Sequence, residues 1–447
     1  MKSQYEIMTL TPVERLIPRL AAPSMLSMVT GAIYNTADTW FVSQLGDSAT
    51  GATGVCLAVT AMLQAVGFWI GMGAASNISR FLGRRHVFKS CIMASSAIVM
   101  AMVGGLMLTC FGVLFNRQLL SLLGSTQTIL PFAQEYSRIL FLGAPFACTS
   151  FVLNNLLRSQ GKAFFSMVGV VSGAILNIFL DPLFIFVFNL GIAGAALSTI
   201  ICQALSFLIM FVFLCSERSV VKFRTKYISK NLGVYLMILS TGLPSLIRQG
   251  CNAAATVLLN RAAGIYGDSA VAAMSVVGRI NFLVGSLVGG FGQGFQPVVG
   301  YAYGAKNYNR VWQCYRFSLM VCVCILTVGA VVCSLFATDI VGSFRGDSPV
   351  VIQIGSRALR YLSFSMPFFA VVILANMLLQ TTGHKALASF TSLTRQGIFY
   401  IPLIIALPYF YGIDGIILCQ PIADLLSAVV CGVATVYFFK KKCRLAF

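Results

Sequence analysis

Gly46-Asp47-Ser48-Ala49 opens an apolar run that lasts to about residue 79, and Gly267-Asp268-Ser269-Ala270 opens another that lasts to about residue 300. The two openings lie 221 residues apart. At that offset Pro23-Ser24 recurs as Pro244-Ser245, Gly71 and Gly73 as Gly292 and Gly294, and Gly83 as Gly304. Gly191-Ile192-x-Gly194 recurs as Gly412-Ile413-x-Gly415, and at offset 222 Pro145-Phe146 and Gly161 recur as Pro367-Phe368 and Gly383. A series of matches at nearly one offset marks a duplicated chain.

The two runs belong to a set of twelve, at about 16–43, 49–79, 90–115, 129–157, 163–188, 191–215, 233–263, 269–300, 312–336, 350–381, 386–410 and 413–439. Each exceeds the roughly 20 apolar residues that span a bilayer as a helix. They are too long and too uniformly apolar for outer-membrane strands, which alternate. Composition agrees: 58% of the 447 residues are hydrophobic and 10% charged, and mean hydropathy is +0.87. The expected fold is an all-α integral membrane protein, with twelve transmembrane helices in two pseudo-symmetric six-helix bundles. Residues 1–215 form the first lobe, 216–231 a basic cytoplasmic linker, and 232–447 the second lobe. An even number of spans per half sends both halves in from the same side, as in transporters built from parallel repeats.

The formal net charge is +19, but its placement follows the spans and does not form a nucleic-acid footprint. Lys2, Arg15, Arg19, Arg80, Arg84, Arg85, Lys89, Arg158, Lys162, Lys306, Arg310, Arg316, Lys385 and Arg395 fall on one side. The linker residues Arg218 to Lys230 and the tail Lys440, Lys441, Lys442 and Arg444 share that side. The other side, with Gly46–Ser48 and Asp347, has Arg117, Arg138, Arg345, Arg357 and Arg360. The positive-inside rule therefore predicts an inner-membrane protein with both termini in the cytoplasm, contacting membrane lipid and no nucleic acid. The fourteen cysteines are scattered without a CxxC, and the two histidines, His86 and His384, fall in loops. The spacing offers no cofactor, no resident metal site and no His-based catalysis, so an enzyme is not expected. A monomer is.

Carboxylates in mid-membrane are costly and indicate function by default. Asp38 lies in span 1 on a face with Tyr34 and Asn35, extended by Ser27 and Gly31. In span 5, Gly169, Gly173, Asn177 and Asp181 repeat every four residues, and Pro182 frees a backbone carbonyl beside them. Two carboxylates, an amide and a carbonyl suit a hard cation such as Na+, or a shared proton. The second half does not repeat this set: Leu259 stands where Asp38 would, and Pro402 where Asp181 would. It carries Arg248, Arg279 and Asp424 at similar depths, which predicts a structural ion pair between Asp424 and one of the two arginines. The glycine-rich runs Gly67–Gly83 and Gly289–Gly304 lack the GK[ST] of a phosphate loop and read as close helix packing.

Several stretches resemble the multidrug and toxic compound extrusion (MATE) family. They are Ala22-Pro23-Ser24, Tyr34-Asn35-Thr36-Ala37-Asp38, Gly46-Asp47-Ser48, Ser79-Arg80-x-Leu82-Gly83, Leu153-Asn154-Asn155 with Arg158-x-x-Gly161, and Asn177 with Asp181-Pro182. Gly289-Gly290-Phe291-Gly292-Gln293-Gly294-Phe295-Gln296-Pro297 and Tyr303-Gly304-Ala305-Lys306 look like the MepA-type bacterial branch. The resemblance implies a cation-coupled multidrug efflux antiporter that works by alternating access. It implies small organic, cationic and aromatic substrates and H+ or Na+ as coupling ion. It places cation binding at Asp38, Asn177, Asp181 and Thr199, with Tyr34, Tyr136 and Asn154 in the same cavity. Asn35, Gln249 and Asn252 are further candidates for the substrate cavity. The chain departs from members with acidic residues in spans 7 and 10, since span 7 has Arg248 and Gln249 instead. The alternative is a flippase for lipid-linked sugars or oligosaccharides, in which Arg248 and Arg279 would hold a pyrophosphate.

Overall fold

The computed structural model describes residues 4–344 and 348–442. The expectations that involve Lys2, Arg345, Asp347 and Arg444 lie outside them, as do the side chains of Asp47 and Lys442. Among the described residues there is no strand. Spans 1 to 6 are Val13–Ser43, Asp47–Gly83, Val87–Leu114, the pair Leu130–Leu142 and Ala144–Ser159, Ala163–Pro182, and Gly191–Cys215. Spans 7 to 12 are Leu232–Gly264, Asp268–Gly304, Tyr308–Leu335, Pro349–Thr382, Lys385–Tyr411 and Ile413–Lys442. Among the described residues ten helices are long and apolar enough to cross a membrane singly, and the span 4 pair makes an eleventh. Span 7 completes the twelve by its length of 33 residues, although Arg248, Gln249 and Asn252 dilute its apolar character.

Three spans depart from continuous α-helix. Span 4 bends by 54° between Leu142 and Ala144. Gly143 followed by Pro145 removes both side-chain support and a backbone donor there. The repeat partner Pro367 has Ser365 in place of that glycine, and span 10 runs through it as one helix. Span 5 widens into a π-helix at Leu183–Val187, directly after Pro182. Span 11 holds a second π-helix at Thr394–Phe399. Single π turns inside α-helices concentrate at functional sites.

The halves meet along the glycine-rich runs. A β-carbon on Gly73 would strike the carbonyl of Ile238, and one on Gly242 the carbonyl of Trp69. The indole of Trp69 donates to the Leu239 carbonyl at 2.8 Å. Gly290 and Gly294 lie against the backbone of Met25 and Ala21. Gly83 and Gly304 lie against Tyr301 and Arg80. Only hydrogen side chains allow backbones this close, so spans 1 and 2 lock onto spans 8 and 7. Every one of these contacts lies toward the end of the molecule that carries the basic loops. Toward the other end, nothing lies within 4 Å of a β-carbon placed at Gly31, Gly46, Gly54, Gly264, Gly267 or Gly278. The glycine contacts therefore join the halves at the basic end, and none of these glycines joins them toward the opposite end.

Candidate ion and substrate site

The small-residue stripe on span 5 does what its spacing suggests. Gly169 packs against Met210, and Gly173 against Ser206 and the Cys202 carbonyl, all on span 6. This close approach sets Asn177 and Asp181 beside Ser198. Asn177 Nδ2 donates to Ser198 Oγ at 2.7 Å and to Asp181 Oδ1 at 3.0 Å. Ser198 Oγ donates to the same Asp181 oxygen. Asn177 and Asp181 are 1% and 0% exposed.

Span 1 brings the second carboxylate. Asp38 is half-buried, interacts electrostatically with Asp181, and takes a hydrogen bond from the side chain of Tyr136 on span 4. Tyr34 interacts electrostatically with both acids. Four helices thus converge on one polar cluster in the first half. Three of its buried oxygens have no hydrogen-bond partner: Asp38 Oδ1, Asn177 Oδ1 and Asp181 Oδ2. Buried acceptors are almost always paired, so three together form a donor-poor, oxygen-rich cluster that fits a bound proton or a small hard cation.

The other expected residues divide. Ser198, not its neighbour Thr199, is the span 6 residue that bonds to Asp181; Thr199 is also buried, at 9% exposure. Ser198 and Cys202 stand one turn apart on span 6 and both reach Asn177, a pairing of helix faces that spacing along one helix does not disclose. Asn154 is buried with its Oδ1 unpaired, and no described hydrogen bond joins it to the acids. Asn35 is exposed and donates to the Gly31 carbonyl at 2.7 Å. Gln249 lies two turns beyond Gly242 on the same face of span 7, toward the cleft where the halves part. Asn252 is exposed nearby.

The expected ion pair of the second half needs correction. Asp424 is buried and pairs with Arg395, whose Nε and Nη2 lie 2.6 and 3.4 Å from its two oxygens. Gln420 Nε2 and Ser365 Oγ also donate to it, at 2.7 and 3.3 Å. The Arg395 guanidinium stacks 3.8 Å over the Phe369 ring. Arg248 instead donates to Asn376 Oδ1 at 3.1 Å, and Arg279 is exposed. By sequence Arg395 reads as part of a basic loop. It lies ten residues into span 11, about 15 Å from its start at 1.5 Å per residue, in the π turn that aims it at span 12. Similar depth does not single out the partner of Asp424, because depth says nothing about which helices are neighbours.

Comparison with known proteins gives the same frame. Residues 23–183 and 244–405 match the MatE family, and the two matches start 221 residues apart, the internal repeat offset. The chain is 25% identical to the multidrug export protein MepA of Staphylococcus saprophyticus over 410 residues, covering 92% of this chain and 90% of that one. It is 27% identical to MepA of Staphylococcus aureus strain MRSA252 over 420 residues, covering 94% and 92%. An outward-facing multidrug resistance MATE transporter of the MOP superfamily superposes with TM-score 0.92 at 25% identity, covering 99% of this chain and all of the other. A MATE transporter in complex with MaL6 gives TM-score 0.93 at 24% identity over the same share. The chain belongs to the MatE family, that of the multidrug and toxic compound extrusion transporters.

Proposed function

We propose that the protein is a multidrug efflux antiporter of the bacterial inner membrane, exchanging small organic cations for H+ or Na+ by alternating access. The observation that carries this reading is the cluster of Asp38, Asn177 and Asp181 with its three unpaired buried oxygens. The lobes are residues 1–215 and 232–447, joined by the basic linker 216–231 on the cytoplasmic side with both termini. In that orientation the cleft between the lobes opens outward.

An ion entering from outside neutralises or coordinates Asp38 and Asp181. Span 1 then carries the effect, since it holds Asp38 on one turn and Ala21 and Met25 at the seam with span 8 on others. Pro18 and Pro23 lie within this helix, and each removes a backbone hydrogen bond that would stiffen it. Ion binding thus biases the packing that holds the cytoplasmic side shut, and drug binding biases it the opposite way, because linkage is reciprocal. Each charge crossing 100 mV yields about 2.3 kcal/mol, and each pH unit about 1.4 kcal/mol, enough to drive export.

The flippase alternative needs a broad cationic cavity. Arg395 is paired with Asp424, Arg248 is held by the neutral Asn376 and Arg279 is exposed. The two arginines that would hold a pyrophosphate are therefore not gathered with a third cation, and the first half presents the acidic cluster of Asp38 and Asp181 instead. Efflux of a fluorescent organic cation from proteoliposomes, driven separately by a proton and a sodium gradient, tests the proposal. Efflux under neither gradient overturns it.

A further inference from the structure

Four turns on the basic-loop side each place one residue in the left-handed backbone region. After spans 4 and 10 that residue is glycine: Gly161 at φ 77° and Gly383 at φ 85°. Glycine is the default there because it has no β-carbon to clash. After spans 2 and 8 the residues are Arg85 at φ 61° and Lys306 at φ 59°. A long side chain is disfavoured in this conformation, and an outlier of this kind is a reason to look for a function.

Arg85 and Lys306 occupy repeat-equivalent positions, 221 residues apart. Both line one open basin at the seam between the halves, together with Arg84, His86 and Tyr5. Its floor is Gly83 and Gly304, where the two helix ends pack against each other's neighbours. The Arg85 guanidinium sits 4.4 Å over the Tyr5 ring, which steadies it from the N-terminal helix Gln4–Leu10. Among the described residues no carboxylate lines the basin. Spans 2 and 8 have 37 residues each, roughly 55 Å at 1.5 Å per residue, against a hydrocarbon core of about 30 Å. Their ends therefore stand clear of the acyl chains. Cations at a helix C-terminus also complement its dipole, which accounts for the sign of the charge. It does not account for Arg and Lys at the two turn positions where glycine serves elsewhere.

We propose that this basin binds a multivalent phosphate-bearing anion, whose oxygens bridge Arg84 and Arg85 of the first half to Lys306 of the second. Guanidinium groups match phosphate oxygens in geometry, and the lysine adds a point charge. Because the cations come from both halves, the bound anion holds the seam shut and favours the state in which the cleft is open at the other end. Only that consequence rests on the alternating-access reading; the binding does not.

The test uses thermal unfolding of the purified full-length protein in detergent, titrated with inorganic pyrophosphate, with potassium chloride at matched ionic strength as control. Arg85→Gly with Lys306→Gly keeps both left-handed turns and removes two charges. Pyrophosphate is expected to raise the apparent Tm of the unmodified protein by several degrees, with affinity at least about tenfold weaker in the double variant. Arg84→Gln, outside the left-handed positions, is expected to weaken it as well. A second arm replaces detergent by phosphatidylcholine vesicles with or without phosphatidylglycerol. Stabilisation there that needs phosphatidylglycerol and is lost in the variants assigns the phosphate to a lipid headgroup; stabilisation by pyrophosphate alone assigns it to a soluble anion. No shift in either arm, an equal shift in the variants, or an equal shift with potassium chloride overturns the proposal.

Discussion

Replacing Asp424 by asparagine keeps the shape of the side chain and removes its charge. In the native structure that carboxylate accepts from Arg395, Gln420 and Ser365, and it is 2% exposed. The amide can still accept on one oxygen, but its NH2 group faces donors. Arg395 loses its counter-charge, and its side chain is only 13% exposed. Breaking a buried pair from one side costs about 3–5 kcal/mol. The Phe369 ring remains under the guanidinium and offsets part of this, which favours the lower end, about 3 kcal/mol. For a unit of one lobe's size, about 2–4 °C is lost per kcal/mol, so the apparent Tm should fall by about 6–12 °C. A double variant, Arg395→Met with Asp424→Leu, removes both charges and should recover most of the loss, because apolar replacement of a buried pair is close to neutral. Thermal unfolding of the four proteins in one detergent measures the coupling. An Asp424→Asn protein of normal stability that binds drug but has lost ion coupling would refute the reasoning and place Asp424 in the transport site.

Asp38→Asn and Asp181→Asn should each abolish gradient-driven efflux from proteoliposomes while expression and Tm hold; normal efflux in both removes the first-half cluster from the mechanism. Ser198→Ala deletes a hydrogen bond to a buried carboxylate, worth about 1.5–3 kcal/mol. It should shift the ion concentration for half-maximal efflux at least about tenfold, and a larger shift from Thr199→Ala would contradict the geometry. Gly242→Val sets a side chain against the Trp69 carbonyl, so it should disfavour the seam and slow efflux in a protein that still folds. Unimpaired efflux would show that the closed seam is not part of the cycle. For topology, a single cysteine at Lys226 should resist an impermeant thiol reagent in intact cells while one at Asp268 reacts. The reverse pattern would invert the orientation.

The sequence alone determined the membrane class, the twelve spans, the duplication and the family. These follow from composition, from run length against bilayer thickness and from a repeat offset, all of which are one-dimensional quantities. It also placed Asp38, Asn177 and Asp181 together, because an acid in an apolar run is conspicuous and a glycine stripe points to the neighbouring helix. Only the tertiary structure decided the partners. Ser198 rather than Thr199 bonds to Asp181, since one residue on a helix is a 100° rotation that hydropathy does not register. Arg395 rather than Arg248 or Arg279 holds Asp424, because a π turn in span 11 and the packing of spans 11 and 12 set the pair, and a basic residue near a span end reads as loop. The state of the cleft was likewise invisible in the sequence. The same glycines permit the halves to close at the basic end, but which contacts form at once depends on the whole packing.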